Sequence, residues 1–273
     1  MSLTRNTEAA ASRTANSSAL EALTRAGFIG YGILHLLFAW LALQIAFGTA
    51  SDDGDQAGAL RTLAEQPLGK VLVITVGVGL LAMGIWQVLE AAVGHRAEQG
   101  RDRIAERVLS GGRAVMYLWF AWTALQVFQN ASESSADKQE ALSAKLMEST
   151  GGQWLVGLAG VVVVGIGAGM IFYGVTKRFE KRLKTGEMDA RTRTLARRLG
   201  MVGYTAKGAA LAVAGVLVVS AAVTYDPEKA RGLDAALHTL REQAYGQLLL
   251  IVVALGLAAF GLYCFLQSRY RKV

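Results

Sequence analysis

The chain has 273 residues, of which 53% are hydrophobic, with 31 Gly, 2 Pro and a formal net charge of +7. Mean hydropathy is +0.34 and 18% of residues are charged, against about 25% in an ordinary soluble domain, and the apolar residues gather in blocks of about 20, the length that crosses a bilayer. Composition therefore excludes a wholly disordered or nucleic-acid-tail protein and predicts an all-α integral membrane protein, whose positive charge is to be read by side of the membrane.

The first 24 residues are polar and rich in Ser, Thr and Ala, which predicts a disordered cytoplasmic arm over 1–24. Apolar runs then predict six spans, at about Gly27–Gly48, Val71–Val93, Ala114–Asn130, Trp154–Thr176, Gly200–Thr224 and Tyr245–Leu266. The runs are continuous, whereas strands of a membrane barrel alternate with a period of two. Gly48-Thr49-Ala50 resembles a signal-peptidase site, but the run before it is longer than a signal core and recurs in a repeat, so no cleavage is expected. Of the 28 Lys and Arg, 20 lie in the N-terminal arm, the second and fourth connections and the tail. By the positive-inside rule this predicts a multi-pass protein of the cell (inner) membrane with cytoplasmic N- and C-termini.

The chain repeats itself. Shifting it by 82 places Phe38-Ala39-Trp40-Leu41-Ala42-Leu43-Gln44 on Phe120-Ala121-Trp122-Thr123-Ala124-Leu125-Gln126, six identities in seven. A shift of 173 places Arg25, Gly27, Gly30 and Tyr31 on Arg198, Gly200, Gly203 and Tyr204. Three helical hairpins follow, 25–96, 107–178 and 198–270, each running in, out and in again, so that a pseudo-threefold axis along the membrane normal is the natural arrangement of one compact membrane domain. Each outer connection carries an Ala-Leu element, at Leu60, Leu142 and Leu237, with further Leu residues three or four positions on. This predicts three short amphipathic helices with those leucines toward the bundle. Asp226-Pro227 reads as a helix start, Asp as cap and Pro at the first helical position.

This layout resembles a family of uncharacterised bacterial membrane proteins, frequent in actinobacteria, built from three copies of a two-helix domain of unknown function. The resemblance covers about residues 20–270 and rests on an Arg and a Gly opening the first helix (Arg25, Gly27; Arg198, Gly200), Ala-Leu in the outer connection and a Gly opening the second helix. The middle copy departs, with Leu109 where Gly is expected. The resemblance implies the three-hairpin fold and carries no activity.

Four polar residues inside the spans form a candidate polar pathway: His35, Glu90, Lys207 and Gln87. Lys207 lies nine residues after Arg198, about 13 Å into the bilayer, and Glu90 about 9 Å in from the same side, with Gln87 one turn earlier. A buried charge at such depth is worth a few kcal/mol of insertion penalty unless it finds a partner. The spacing predicts a Lys207–Glu90 ion pair; the competing account is that both side chains snorkel to the headgroups. His35 lies about 15 Å deep, near the midplane, where an imidazole relays protons, binds a ligand, or simply hydrogen-bonds a backbone carbonyl.

Other signals are weak. The three His residues fall in three different compartments and no metal-ligand spacing occurs, so neither metal nor cofactor is expected. Asp52-Asp53-Gly54-Asp55 lacks the glutamate that closes a calcium loop and reads as a solvated turn. Gly165-x-x-x-Gly169 is a small-xxx-small motif expected to pack inside the protein, and Cys264 reads as a core or lipid-facing residue. The basic cluster Lys177, Arg178, Lys181, Arg182 and Lys184 is expected to rest on anionic lipid headgroups, with a protein partner as the alternative and no nucleic acid. No nucleophile and base can be assembled, so an enzyme is not expected. The buried ionisable groups favour a small-solute or ion transporter or channel with its path between the hairpins. Unbroken helices favour a non-catalytic scaffold, because discontinuous helices are the usual mark of a transporter site. A polar cavity reaching His35 or Lys207 discriminates for the first, a filled centre for the second.

Overall fold

The computed structural model describes residues 18–49, 54–65, 69–93, 100–129, 134–149 and 151–272. Among them the chain is almost entirely helical. Six long helices, α1 (Ser18–Phe47), α3 (Gly69–Val93), α4 (Gly100–Phe128), α6 (Gly152–Val175), α7 (Ala190–Thr224) and α9 (Gly246–Tyr270), alternate with three short ones, α2 (Gln56–Ala64), α5 (Ser135–Met147) and α8 (Leu233–Arg241). The helices follow from uninterrupted Ala, Leu, Val and Ile runs with neither Pro inside a long helix. Of the expected arm, residues 1–17 lie outside the described residues, and Ser18–Leu23 are helical rather than part of an arm. Leu20, Ala22 and Leu23 are good helix formers that extend the first span backwards.

Among the described residues five helices are long and apolar enough to cross a membrane: Thr24–Phe47, Gly69–Ala92, Gly152–Val175, Ala190–Thr224 and Gly246–Tyr270. The sixth long helix, α4, does not reach that hydropathy, because Arg103, Glu106, Arg107 and Arg113 occupy its first half and its apolar stretch begins only at Ala114.

The helices are joined cyclically. Each second helix of a repeat packs on the first helix of the next, α3 on α4, α6 on α7, and α9 on α1. Within repeats, α1 packs on α3 and α7 on α9, but α4 and α6 make no such close contact among the described residues. The six-helix ring is therefore open at its middle hairpin. Several side chains there point away from protein, including Val115, Trp119 and Trp122 on α4 and Trp154, Leu158 and Val162 on α6. The repeated Phe-Ala-Trp segment adopts one environment twice: Phe38 and Phe120 are buried while Trp40 and Trp122 are each 54% exposed.

Small residues set how close the helices come. A Cβ on Gly167 would lie 2.6 Å from the carbonyl of Gly208, so α6 and α7 touch backbone to backbone. The small-xxx-small pair does the opposite of what its motif suggests: Gly165 and Gly169 have nothing within 4 Å of an added Cβ and face outward. Gly167 lies on the opposite side of the helix and takes the internal contact. Cys264 is a core residue, fully buried.

The loop helices close one end. Leu60 and Leu237 are buried as predicted from the repeat, Leu60 beneath α2, which packs on α1, α3 and α4, and Leu237 beneath α8, which packs on α7, α9 and α1. Leu142 is 60% exposed instead. With α4 and α6 apart, α5 has no closed hairpin to plug, and it lies against α6 and the 3-10 turn Pro227–Ala230. Asp226-Pro227 does start a helix with Pro in its first turn, but that 3-10 turn rather than α8, which begins after Gly232 at φ +68°.

Candidate functional site

On α1, Tyr31, His35 and Phe38 are spaced four and three residues apart, so they share one helical face. All three are buried, His35 at 2% exposure. Its Nδ1 lies 2.8 Å from the Tyr31 carbonyl. A carbonyl only accepts, so Nδ1 carries the proton and donates. Three rings surround the imidazole, Tyr31 at 4.3 Å, Phe260 at 4.6 Å and Phe38 at 5.6 Å between centroids. The backbone-bonded alternative for His35 is the one the structure adopts.

Helix α9 delivers Phe260 between Tyr31 and its repeat counterpart Tyr204, at centroid separations of 6.0 and 5.1 Å. Helix α7 can approach this ring because Gly203 lacks a side chain; a Cβ there would lie 2.6 Å from the Phe260 Cα. One turn on, Lys207 reaches across to α1 and donates from Nζ to the Tyr31 hydroxyl. The ammonium also sits 4.6 Å from the Tyr31 ring centroid and 4.4 Å from that of Phe260. Cation–π attraction of this kind reaches about 2 kcal/mol when desolvated. From α4, Tyr117 packs edge-on to Tyr31 at 5.0 Å. Tyr31, Tyr117 and Lys207, one residue from each repeat, thus meet in the centre of the bundle.

The expected Lys207–Glu90 pair is not formed. Lys207 is held by Tyr31 and Phe260, and Glu90 sits on α3, which does not pack against α7 and has another interaction of its own. Helical rise gives depth along the axis and says nothing of which side of the bundle a residue occupies, so two residues at matching depth were separated by the width of the ring. Gln87, also on α3, is 3% exposed, and its Oε1 has no hydrogen-bond partner among the described residues. Of the four candidate pathway residues, the structure brings together His35 and Lys207 alone.

The basic end of the column is built by the fourth connection and the C-terminal tail. Phe179 and Leu183, each 1% exposed, anchor the 3-10 turn Arg178–Arg182 against Tyr204 and Tyr263. Leu183 bridges to Arg271, and the Lys184 N–H donates to the Tyr270 carbonyl at 2.7 Å. The basic cluster expected to rest wholly on lipid is thus partly folded into the protein, with Arg182 paired to Glu106 at 2.7 Å and Arg197 to Glu180 at 2.7 Å. Arg271 turns inward over Phe28 and Trp86, 5.2 and 5.3 Å from their ring centroids, and burial holds its guanidinium below the ordinary range.

At the opposite end the three connections are tied in a cycle that sequence reasoning missed. Asp55, read as part of a solvated turn, is 1% exposed. Its Oδ1 caps α2 by accepting from Gly58 N at 2.8 Å, and its Oδ2 accepts from Ala136 N at 2.7 Å and Ser134 Oγ at 3.2 Å in the second outer connection. The second outer connection binds the third outer one through Arg231, which donates to Asp137 at 2.8 Å and Glu140 at 3.1 Å. The third outer connection returns to the first through Asp234, whose Oδ1 accepts from Gly54 N at 2.8 Å. The one available signal was an Asp directly before the α2 apolar pattern, an N-cap position; Asp52 and Asp53 lie outside the described residues.

Among the described residues no three His, Cys, Asp or Glu side chains group as a metal site. The centre offers instead a half-buried cation on aromatic faces with a hydroxyl neighbour. Such an arrangement binds or repels charge.

Comparison with known proteins agrees with this architecture. The family described as Domain of Unknown Function (DUF1206) matches three times, at residues 26–94, 110–177 and 202–271. A relative from Bacillus subtilis (strain 168), described as an uncharacterized protein YxxB, is 31% identical over 252 residues, covering 91% of this chain and 90% of its own length. No solved structure matches the chain. With three matched copies that coincide with the three two-helix repeats, and a relative aligned over nearly its whole length, the chain belongs to the DUF1206 family of multi-pass membrane proteins of unknown function.

Proposed function

We propose that the protein is a non-catalytic membrane scaffold, with all six long helices in the cell membrane and both termini cytoplasmic. The observation that carries this reading is the filled centre: at mid-span His35 is enclosed by Tyr31, Phe38 and Phe260 at 2% exposure, so that side chains occupy the axis at that level. The loop ring of Asp55, Arg231 and Asp234 supports it, because it ties down the far end. The open faces of α4 and α6 are the surfaces offered to other membrane components. The exposed basic residues of the fourth connection attract anionic headgroups, at about 1 kcal/mol per charge. The 20 cationic residues on one side support the orientation.

A second reading, a small-solute or ion transporter or channel, is favoured by one observation, the half-buried Lys207 deep in α7. The two separate in proteoliposomes loaded with pH- and chloride-sensitive dyes. A scaffold gives flux equal to that of empty vesicles for the wild type and for Lys207→Met. Flux that scales with protein and is lost in Lys207→Met transfers the assignment to transport.

A further inference from the structure

The cations at the basic end of the column have an unusual environment, independent of whether the protein conducts. Arg271 makes no carboxylate contact among the described residues; its guanidinium lies over the Phe28 and Trp86 rings, and its buried Nε has no hydrogen-bond partner. About two turns earlier on α9, the Tyr263 hydroxyl is buried in a residue of 0% exposure and is likewise without a partner among the described residues. Leu183 pairs with Arg271 along the backbone, which brings the end of the Arg178–Arg182 turn alongside, and the Arg182 and Arg271 charges repel each other. Among the described residues Lys207, deeper in the same column, has no carboxylate partner either, and the one acid in contact with these cations is Glu106, on Arg182.

A half-buried arginine laid against rings with no counter-charge is costly, since its guanidinium donors need acceptors and its buried Nε has lost water. Proteins normally meet this demand with a carboxylate, which is what Arg182, Arg197 and Arg231 each have. Where the counter-ion is missing while donors and positive charge converge, the complementary group is an anion from outside the chain. A planar guanidinium fork matches the oxygens of a phosphate bidentately, and a tyrosine hydroxyl adds a further donor.

We propose that Arg271, with the Tyr263 hydroxyl and Arg182 beside it, forms an oxyanion site at the basic end of the bundle that takes a phosphate group. Arg271 directly follows the last span, α9, so the phosphate comes either from an anionic lipid headgroup or from free phosphate in solution. An apolar ligand or a cation is excluded by the donor set.

The test uses the full chain purified in a neutral maltoside detergent. Thermal unfolding is followed while adding inorganic phosphate, phosphatidylglycerol or phosphatidylcholine, for the wild type, Arg271→Met, Arg271→Lys, Tyr263→Phe and the exposed-arginine control Arg193→Gln. The expected result is a saturable rise in melting temperature with phosphate or phosphatidylglycerol and none with phosphatidylcholine. The apparent Kd should weaken about tenfold or more in Arg271→Met, as for loss of one charge-assisted pair, and be unchanged in Arg193→Gln. A response to phosphatidylglycerol alone assigns the headgroup, and a response to phosphate alone assigns the free anion. Arg271→Lys, which keeps the charge without the fork, and Tyr263→Phe read the same site should Arg271→Met fail to fold; each should weaken binding. No response to either anion, or an equal response in all variants, overturns the site.

Discussion

Asp55 of the first outer connection accepts the Ala136 N–H of the second outer connection at 2.7 Å, through a carboxylate that is 1% exposed. One side chain therefore both caps its own helix and starts the next repeat's, which makes the loop ring a cooperative unit.

Removal of that carboxylate leaves three donors, from Gly58, Ser134 and Ala136, to find water or nothing. Asp55→Asn is expected to lower stability by about 1–3 kcal/mol, and Asp55→Ala by more, because hydrogen bonds to charged groups are the stronger kind. Asp137→Asn, at a carboxylate 62% exposed on the same ring, should change stability by less than about 1 kcal/mol. Thermal unfolding of the detergent-solubilised variants checks both, and equal effects would show that the ring carries no stability.

The three repeat-related leucines should respond unequally. Leu60→Ala and Leu237→Ala remove side chains at 0% and 1% exposure and are expected to cost about 2–5 kcal/mol each, the usual range for a buried leucine. Leu142→Ala, at 60% exposure, should stay within about 0.5 kcal/mol. A matching loss at Leu142 would mean that α4 and α6 close over it in the native membrane.

Lys207 is coupled to Tyr31 rather than to Glu90. A double-mutant cycle of Lys207→Met with Tyr31→Phe should give a coupling of about 1–2 kcal/mol, from the hydrogen bond lost between them. The cycle of Lys207→Met with Glu90→Gln should be additive within about 0.5 kcal/mol. Reversal of these two results would restore the ion pair that depth alone suggests.

Glu180 accepts from Arg197 Nε at 2.7 Å and from its second nitrogen at 3.1 Å, and this bidentate bond is the main cause of a carboxyl pKa below the ordinary 4.5. A depressed folded value contributes stability that is present above the unfolded value and lost as pH falls toward the folded one. The wild type should therefore be more stable than Glu180→Gln at pH 7, with the difference shrinking below about pH 4.5. Because the pair is solvent-screened, the difference is small and should also shrink in high salt. Melting curves from pH 7 to pH 3 at two ionic strengths read it.

Hydropathy and self-similarity were enough to determine that the chain is a helical membrane protein made of three two-helix repeats, because burial in lipid demands long apolar helices and a duplicated unit keeps its Gly, Tyr and Phe-Ala-Trp positions legible. Depth was legible too, since helical rise is a constant, and it placed His35 and Lys207 deep within their spans. Azimuth was not, and azimuth decides contacts. Whether Lys207 meets Glu90 or Tyr31 depends on α7 closing on α9 at Gly203, and on α3 lying elsewhere in the ring. Whether Leu142 is buried like Leu60 depends on α4 and α6 packing, which their sequences resemble the other hairpins in and their tertiary structure declines. Asp55 looked like a solvated turn because its acceptors' partners, Ser134 and Ala136, are some eighty residues away, and only the folded loop ring brings those donors to it.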